Sequence, residues 1–369
     1  MKRSSLVALT LLACVAMAGT TFAQNVPAGV QPRFVTLPPH SYYPAKQADP
    51  AAQLTQFTLQ WKSSFNNQNY SSVIVGTDPA LTNTTTTVTV GIIPIKMVYG
   101  PNNGNRTFDP ADKYVGNYSA TQMAMLSPMF QKYIDFNQGG TDLGKTQYID
   151  AYTRGNFWSS VQTNNKYHLV FKTVLGPTQT INVAQNQGNV ISNPWGGYPT
   201  GTMDINAFDI QLQSIMNKFP QIQPNVLPLF LTYNVYLTSG GCCIGGYHSA
   251  NGREPGGQTY SYSTLMSQAG SPVFSEDVDA LAHELGEWQL DPFTDNRSPC
   301  PSNGILENGD PLVSDTSPQF GAYPYTVQGF TFHPQDLVFL SWFGQTPSTA
   351  VNNWTRFQGE TLAVCQLAH

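Results

Sequence analysis

The chain has 369 residues, a formal net charge of −5 and 11% charged residues, against a usual share of about 25%. Its 17 basic residues are scattered, which excludes a nucleic-acid surface, because that needs clustered Lys and Arg to neutralise phosphates. Hydrophobic residues make up 40% and aromatic residues 12%, which excludes a disordered chain.

Lys2 and Arg3 precede an apolar stretch from Leu6 to Gly19, and Thr21-Phe22-Ala23 offers small residues where a signal peptidase reads. This predicts a signal peptide over 1–23, cleaved before Gln24, and a secreted protein, extracellular or periplasmic. The apolar run falls short of the roughly 20 residues that cross a bilayer, so no membrane span is expected. Residues 24–56, rich in Pro, Gln and Ala, read as an extended lead-in. Residues 57–200 read as a β-rich lobe with two helices. Strands are predicted at Phe57–Lys62, Ser71–Gly76 and Thr86–Tyr99, helices at Ser119–Phe136 and Thr141–Gln162, and a hairpin from Tyr167 to Ala184 around Gly176-Pro177.

Residues 201–369 form the second predicted lobe. It holds a helix at Met203–Phe219, an apolar strand at Val226–Leu237, a cysteine loop and a Tyr/Ser strand at Thr259–Thr264. A helix follows from Ser275 to Leu290, with Ser275 as N-cap and Pro292 just past its end. The whole is α+β and is expected to be a monomer. Four cysteines remain after cleavage: Cys242, Cys243, Cys300 and Cys365. In an exported chain they read as two disulfides. Adjacent cysteines rarely bond each other, so Cys242 and Cys243 are expected to pair with Cys300 and Cys365 in either order. A soft-metal site at Cys242-Cys243 is the alternative.

The chemistry concentrates in the last of these helices. The mature chain has six Glu residues, and four of them (Glu276, Glu284, Glu287 and Glu307) lie between 276 and 307. No Lys or Arg occurs between Arg253 and Arg297, so this cluster lacks the i,i+4 cations that usually accompany Glu on a solvated helix. Something positive is expected to offset it. His283 and Glu287 are four apart and share a helix face, with Asp279 a turn before and Asp291 a turn after. Glu284 points about 100° away, as the general base does in a His-Glu-x-x-His zinc helix. Here Glu287 replaces the second His, and a third ligand must come from elsewhere. Glu307, 20 residues beyond Glu287, has a spacing that resembles the third-ligand glutamate of thermolysin-like zincins. His248, after the cysteine-rich turn, is the other candidate, and Asp310 is either a further ligand or an Asp-Pro turn residue. A His with two carboxylates leaves zinc a weaker Lewis acid than three imidazoles do, and admits harder ions such as Mn or Ca.

The apolar strand, the turn Cys242-Cys243-Ile244-Gly245-Gly246-Tyr247-His248, the Tyr/Ser strand and the acidic helix ending in Asp291-Pro292-Phe293 occur in that order. Over roughly residues 226–315 the chain thereby resembles the exordium-like, phosphate-induced family of plant cell-wall proteins and its microbial relatives. The resemblance implies an exported protein associated with the cell wall or growth signalling, without an established catalytic activity. The His-Glu pair and the cysteine pattern depart from the plant members, so nothing catalytic carries over from them. The His-Glu-x-x-Glu helix is similar instead to a zincin core, which implies a β-rich N-terminal half followed by a zincin-like mixed helix/sheet C-terminal half. Together these readings lead to the expectation of a secreted zinc metallohydrolase, foremost a metallopeptidase, acting on a peptide or cell-wall polymer. Its ligands would be His283, Glu287 and either Glu307 or His248, with Glu284 as general base. The alternative is a non-catalytic, carbohydrate-associated wall protein with a structural or vestigial metal.

Overall fold

The computed structural model describes residues 30–43, 49, 51–164, 166–252, 256–267, 273–300, 303–313, 320–359 and 365. The expected signal peptide lies outside the described residues. The architecture is α+β and strand-rich, built on one curled eleven-stranded sheet. Its spine runs His168–Leu175, Thr85–Tyr99, Val226–Tyr233, Gln258–Leu265, Cys242–Asn251, Val235–Thr238, Thr200–Asp204, Val190–Ile191. The first four strands are mutually parallel, and Cys242–Asn251 is antiparallel to Gln258–Leu265. The expected lobe boundary near residue 200 does not divide this sheet, because Thr85–Tyr99 is hydrogen-bonded to Val226–Tyr233 across it.

Period-two alternation decides what each face of the sheet carries. In Gln258–Leu265, Tyr260 and Tyr262 point to one side, where they pack with Phe208 and Leu212 of the helix Ile205–Lys218. Ser261 and Ser263 point to the other side and let the helix Asp279–Leu290 approach, with the Ser263 hydroxyl 3.5 Å from the Ala280 carbonyl. Leu281, Leu285 and Trp288 of that helix share a core with Leu229 and Leu231 of the central strand and with Ile149 and Tyr152 of the helix Tyr148–Asn156. The result is helix, sheet and helices in three layers.

Several elements differ from expectation, each for a local reason. The region read as a helix to Phe136 keeps helix only over Ala120–Leu126, after a Ser119/Gln122 capping box. Ile134–Gln138 and Thr141–Thr146 instead form a hairpin around Gly139 and Gly140, both at positive φ. The Thr141–Gln162 helix accordingly shrinks to Tyr148–Asn156 and Trp158–Val161. His168–Leu175 and Gln179–Val183 do not pair with each other. Both run parallel to the long strand Thr85–Tyr99, one after the other, so Gly176-Pro177 steps the chain onward rather than back. The predicted strand Val226–Leu237 breaks at Asn234, whose φ of 55° interrupts the extended run. In the lead-in, Val30–Thr36 is a strand that adds parallel to Cys242–Asn251.

The disulfides are Cys242–Cys243 and Cys300–Cys365, which corrects the expected cross-pairing. The Cys242–Cys243 peptide is cis, with the two Cα atoms 3.1 Å apart. Disulfides point to an oxidising compartment. Among the described residues no helix is long and apolar enough to cross a membrane.

Candidate metal centre

The site helix begins later than Ser275. Ser275 and Asp277 have φ of 62° and 39°, a left-handed backbone that cannot belong to an α-helix, and the helix runs from Asp279 to Leu290. All twelve of its residues are buried. It is therefore not a solvated acidic helix, and every polar group on it needs a partner inside the protein. Asp279, expected on the ligand face, turns to the entry of the helix, where it accepts from the Ser275 N–H at 3.1 Å.

His283 and Glu287 meet as their spacing requires, with Nε2 and Oε1 2.9 Å apart. The neighbouring antiparallel strand delivers His248, whose Nδ1 is 3.3 Å from Glu284 Oε2 and 3.8 Å from Glu287 Oε2. Gly246, two residues earlier on the same face, makes room: a Cβ there would stand 2.6 Å from Glu284 Oε1. Glu307 arrives on the segment after the short strand Asn303–Ile305. Ligand atoms of His248, Glu287 and Glu307 lie within 4.8 Å of one another, as do those of His283, Glu284 and Glu287. Both candidates for the third ligand thus sit beside Glu287. Asp310 Oδ1 stands 3.8 Å from His283 Nε2, on a side chain 37% exposed. The backbone N–H groups of Gly309 and Asp310 both donate to Glu287 Oε1 at 3.2 Å.

Hydrogen bonds on the far sides of the two imidazoles decide what faces the carboxylates. Gln335 donates from Nε2 to the Gly309 carbonyl at 2.7 Å. Its Oε1 is then the atom 2.9 Å from His283 Nδ1, so that nitrogen carries the proton. His248 Nε2 lies 3.1 Å from the Asp291 carbonyl, an acceptor only, and donates to it. In both neutral rings the nitrogen turned toward the glutamates therefore presents a lone pair. Among the described residues, His283 Nε2 and Glu284 Oε1 are buried without a hydrogen-bond partner. This is the arrangement of metal-binding histidines, whose outer N–H is fixed by a carbonyl or amide so that the inner nitrogen is free to ligate. Phe34, from the added lead-in strand, stacks on the His283 ring at 3.8 Å between centroids and holds its plane.

The electrostatics agree. Burial pushes His248 down to about 3 and His283 down to about 4, so both rings are neutral at pH 7. Burial, followed by mutual repulsion among the carboxylates, pushes Glu284 and Glu307 well above the usual range, and burial followed by Asp310 does so for Glu287. Without a cation the cluster is held together by protons. A divalent ion would take the place of those protons and answer the inward lone pairs, so the imidazoles and carboxylates gathered here can hold a metal ion. Several His, Glu and Asp groups can hold an ion in this region.

Asp291 acts at one remove: its Oδ1 accepts from Asp295 and Asn296 N–H at 2.9 and 3.0 Å and sets the turn that aims its own carbonyl at His248. Cys300–Cys365 lies beyond that turn, and Cys242–Cys243 opens the strand that carries His248. A second acidic group, Glu276, Asp277 and His333, also brings ligand atoms together. There Asp277 is answered by the His333 ring at 2.7 Å and the His333 N–H at 2.8 Å, a closed ion-pair geometry. Sequence reasoning missed Gln335, Phe34, Gly246 and Gly309. Only Gly246 carried a signal, as a small residue at i−2 from a candidate ligand on a strand. Comparison of the chain with protein-family models, with curated proteins and with solved structures finds no match.

Proposed function

We propose that the protein is a secreted zinc-dependent hydrolase, foremost a peptidase, whose metal is held by His283, Glu287, His248 and Glu307. The observation that carries this reading is the pair of buried imidazole lone pairs turned toward glutamates, with no Lys or Arg from 254 to 296 to answer them. Zinc would supply Lewis acidity toward a carbonyl. Glu284, with Oε1 unpartnered among the described residues and the ring of His248 at 3.3 Å, would take a proton from an attacking water. Gly309 and Asp310 N–H groups hold Glu287 in place, and Gln335 and the Asp291 carbonyl hold the two imidazole tautomers. Asp310, the cluster member whose side chain reaches solvent, marks the side from which a substrate would arrive. Secretion is supported by the N-terminal sequence and the two disulfides.

The test is elemental analysis of the mature protein beside His283→Ala, with a peptide-hydrolysis assay on the same samples. Zinc in the wild type, its loss in the variant, and hydrolysis abolished by Glu284→Gln and by chelation are expected. Zinc content unchanged in His283→Ala would sink the assignment. A non-catalytic, wall-associated protein of the exordium-like kind with a structural metal is the second reading. It is favoured by the 0% exposure of His248, His283 and Glu284. It predicts a chelator-lowered melting temperature with no hydrolysis and unaltered polymer binding by Glu284→Gln.

A further inference from the structure

The ligand atoms divide into two triads that share one residue, His248/Glu287/Glu307 and His283/Glu284/Glu287. The shared Glu287 turns a different oxygen to each imidazole, Oε1 to His283 at 2.9 Å and Oε2 to His248 at 3.8 Å. We infer that the centre takes two divalent cations bridged by the Glu287 carboxylate. This rests on the metal reading above and deepens it.

Three features of the site support two ions over one. Each imidazole has its own tautomer lock on a different element, Gln335 for His283 and the Asp291 carbonyl for His248, so both present a ligating lone pair. Charge points the same way. Glu284, Glu287, Glu307 and Asp310 carry four negative charges when ionised, the imidazoles carry none, and the three glutamates are at most 1% exposed. One divalent ion balances two of these groups and leaves the other two to hold protons, whereas two ions balance all four. A single-ion site would also leave Glu284 Oε1 without a partner at 0% exposure. As a ligand of the second ion, Glu284 has that partner. A bridging carboxylate between paired ions is the usual construction of two-metal hydrolytic sites, where the pair clamps both the attacking and the leaving oxygen. The inference therefore moves Glu284 from free base to ligand.

The experiment strips the full-length mature protein with chelator, removes the chelator, and measures zinc bound per chain by elemental analysis after equilibration with excess zinc and desalting. Two ions per chain are expected. Manganese loaded in the same way should give an exchange-coupled paramagnetic resonance spectrum, which an isolated ion does not produce. Glu284→Gln and His248→Ala should each drop the stoichiometry from two to one. One ion per chain in the wild type, with an uncoupled manganese spectrum, overturns the two-ion centre and leaves the metallohydrolase reading standing. No ion at all overturns both. Should either variant fail to fold, the wild-type stoichiometry and spectrum still decide.

Discussion

Tyr247 and His248 are neighbours on one strand, point to opposite faces of the sheet, and each meets a buried carboxylate carried by a helix. On the Tyr247 side, Asp209 of the helix Ile205–Lys218 accepts from the Tyr247 and Tyr260 hydroxyls at 2.8 Å each. It also meets Gln213 Nε2 at 3.1 Å and His40 Nε2 at 2.7 Å. Four donors surround one acceptor, and the carboxylate needs nothing more. On the His248 side, three glutamates and two imidazole lone pairs converge, and Glu287 Oε1 accepts from the Gly309 and Asp310 N–H groups. The same strand thus borders one carboxyl group ringed by donors and a cluster in which carboxyl groups and imidazole lone pairs face one another. Burial of a carboxylate says little about function; the sign of what surrounds it says much more.

The largest expected effect separates the two sides by metal. At free zinc 1,000 times the dissociation constant, binding should add about 4 kcal/mol of stability, and scanning calorimetry should record a lower melting temperature after chelation. Asp209→Ala leaves the buried Tyr247 and Tyr260 hydroxyls without the carboxylate that accepts from them. It should lose about 3 kcal/mol in denaturant unfolding, with zinc content unchanged. Loss of zinc in that variant would mean that the two faces are not independent.

Gly246→Ala pushes a methyl group against Glu284 and should lose about 2 kcal/mol, together with metal, while the Asp209 side stays intact. Gln335→Ala removes the lock on the His283 tautomer and should weaken zinc binding about 10- to 100-fold without abolishing it. An affinity unchanged in this variant would show that the tautomer argument is misplaced.

Acidity sharpens the contrast further. The folded, metal-free protein holds its buried carboxyl groups protonated above the pH at which the unfolded chain releases them; Asp291, for example, is raised by burial to about 8. The folded state then binds more protons than the unfolded one, so stability falls as pH rises. The two histidines, depressed to about 3 and 4, oppose this only below the ordinary histidine value near 6.5. Between pH 6.5 and 9 the chelated protein should therefore lose about 1.4 kcal/mol per pH unit for each carboxyl still protonated. The zinc-loaded protein should show a flatter profile. His40, raised chiefly by its hydrogen bond to Asp209, has the same sign as the carboxyl groups. Its contribution is complete below about 6.5 and fades as pH rises through the raised value, and at its half-exposed position the effect is small.

How much of this could be read in advance differs between local and long-range features. The acidic helix and its i,i+4 face were legible because helical periodicity is local, as were His248 and Glu307 as ligand candidates from residue type and proximity. The strands Gln56–Ser63, Asn69–Val75 and Thr85–Tyr99 followed from alternation. Gln335 lies 52 residues from His283 and Phe34 lies on a strand added from the lead-in, and no spacing rule reaches either. The late start of the site helix depends on left-handed Ser275 and Asp277, conformations that residue type does not announce. The successive pairing of His168–Leu175 and Gln179–Val183 with one long partner was hidden because a Gly-Pro step between β-branched runs has the composition of a hairpin. The Asp209 site went unseen for a related reason. Its donors, Tyr247, Tyr260, Gln213 and His40, come from four separate segments.

The central claim is that a cation replaces protons among the buried glutamates. Calorimetric titration of zinc into chelator-stripped protein at pH 7, in two buffers of different ionisation enthalpy, tests it most directly. The histidines are already neutral at that pH, so binding should release protons from the carboxyl groups, and the measured heat should change with the buffer. Heat of binding independent of the buffer, or no binding at all, would contradict the account.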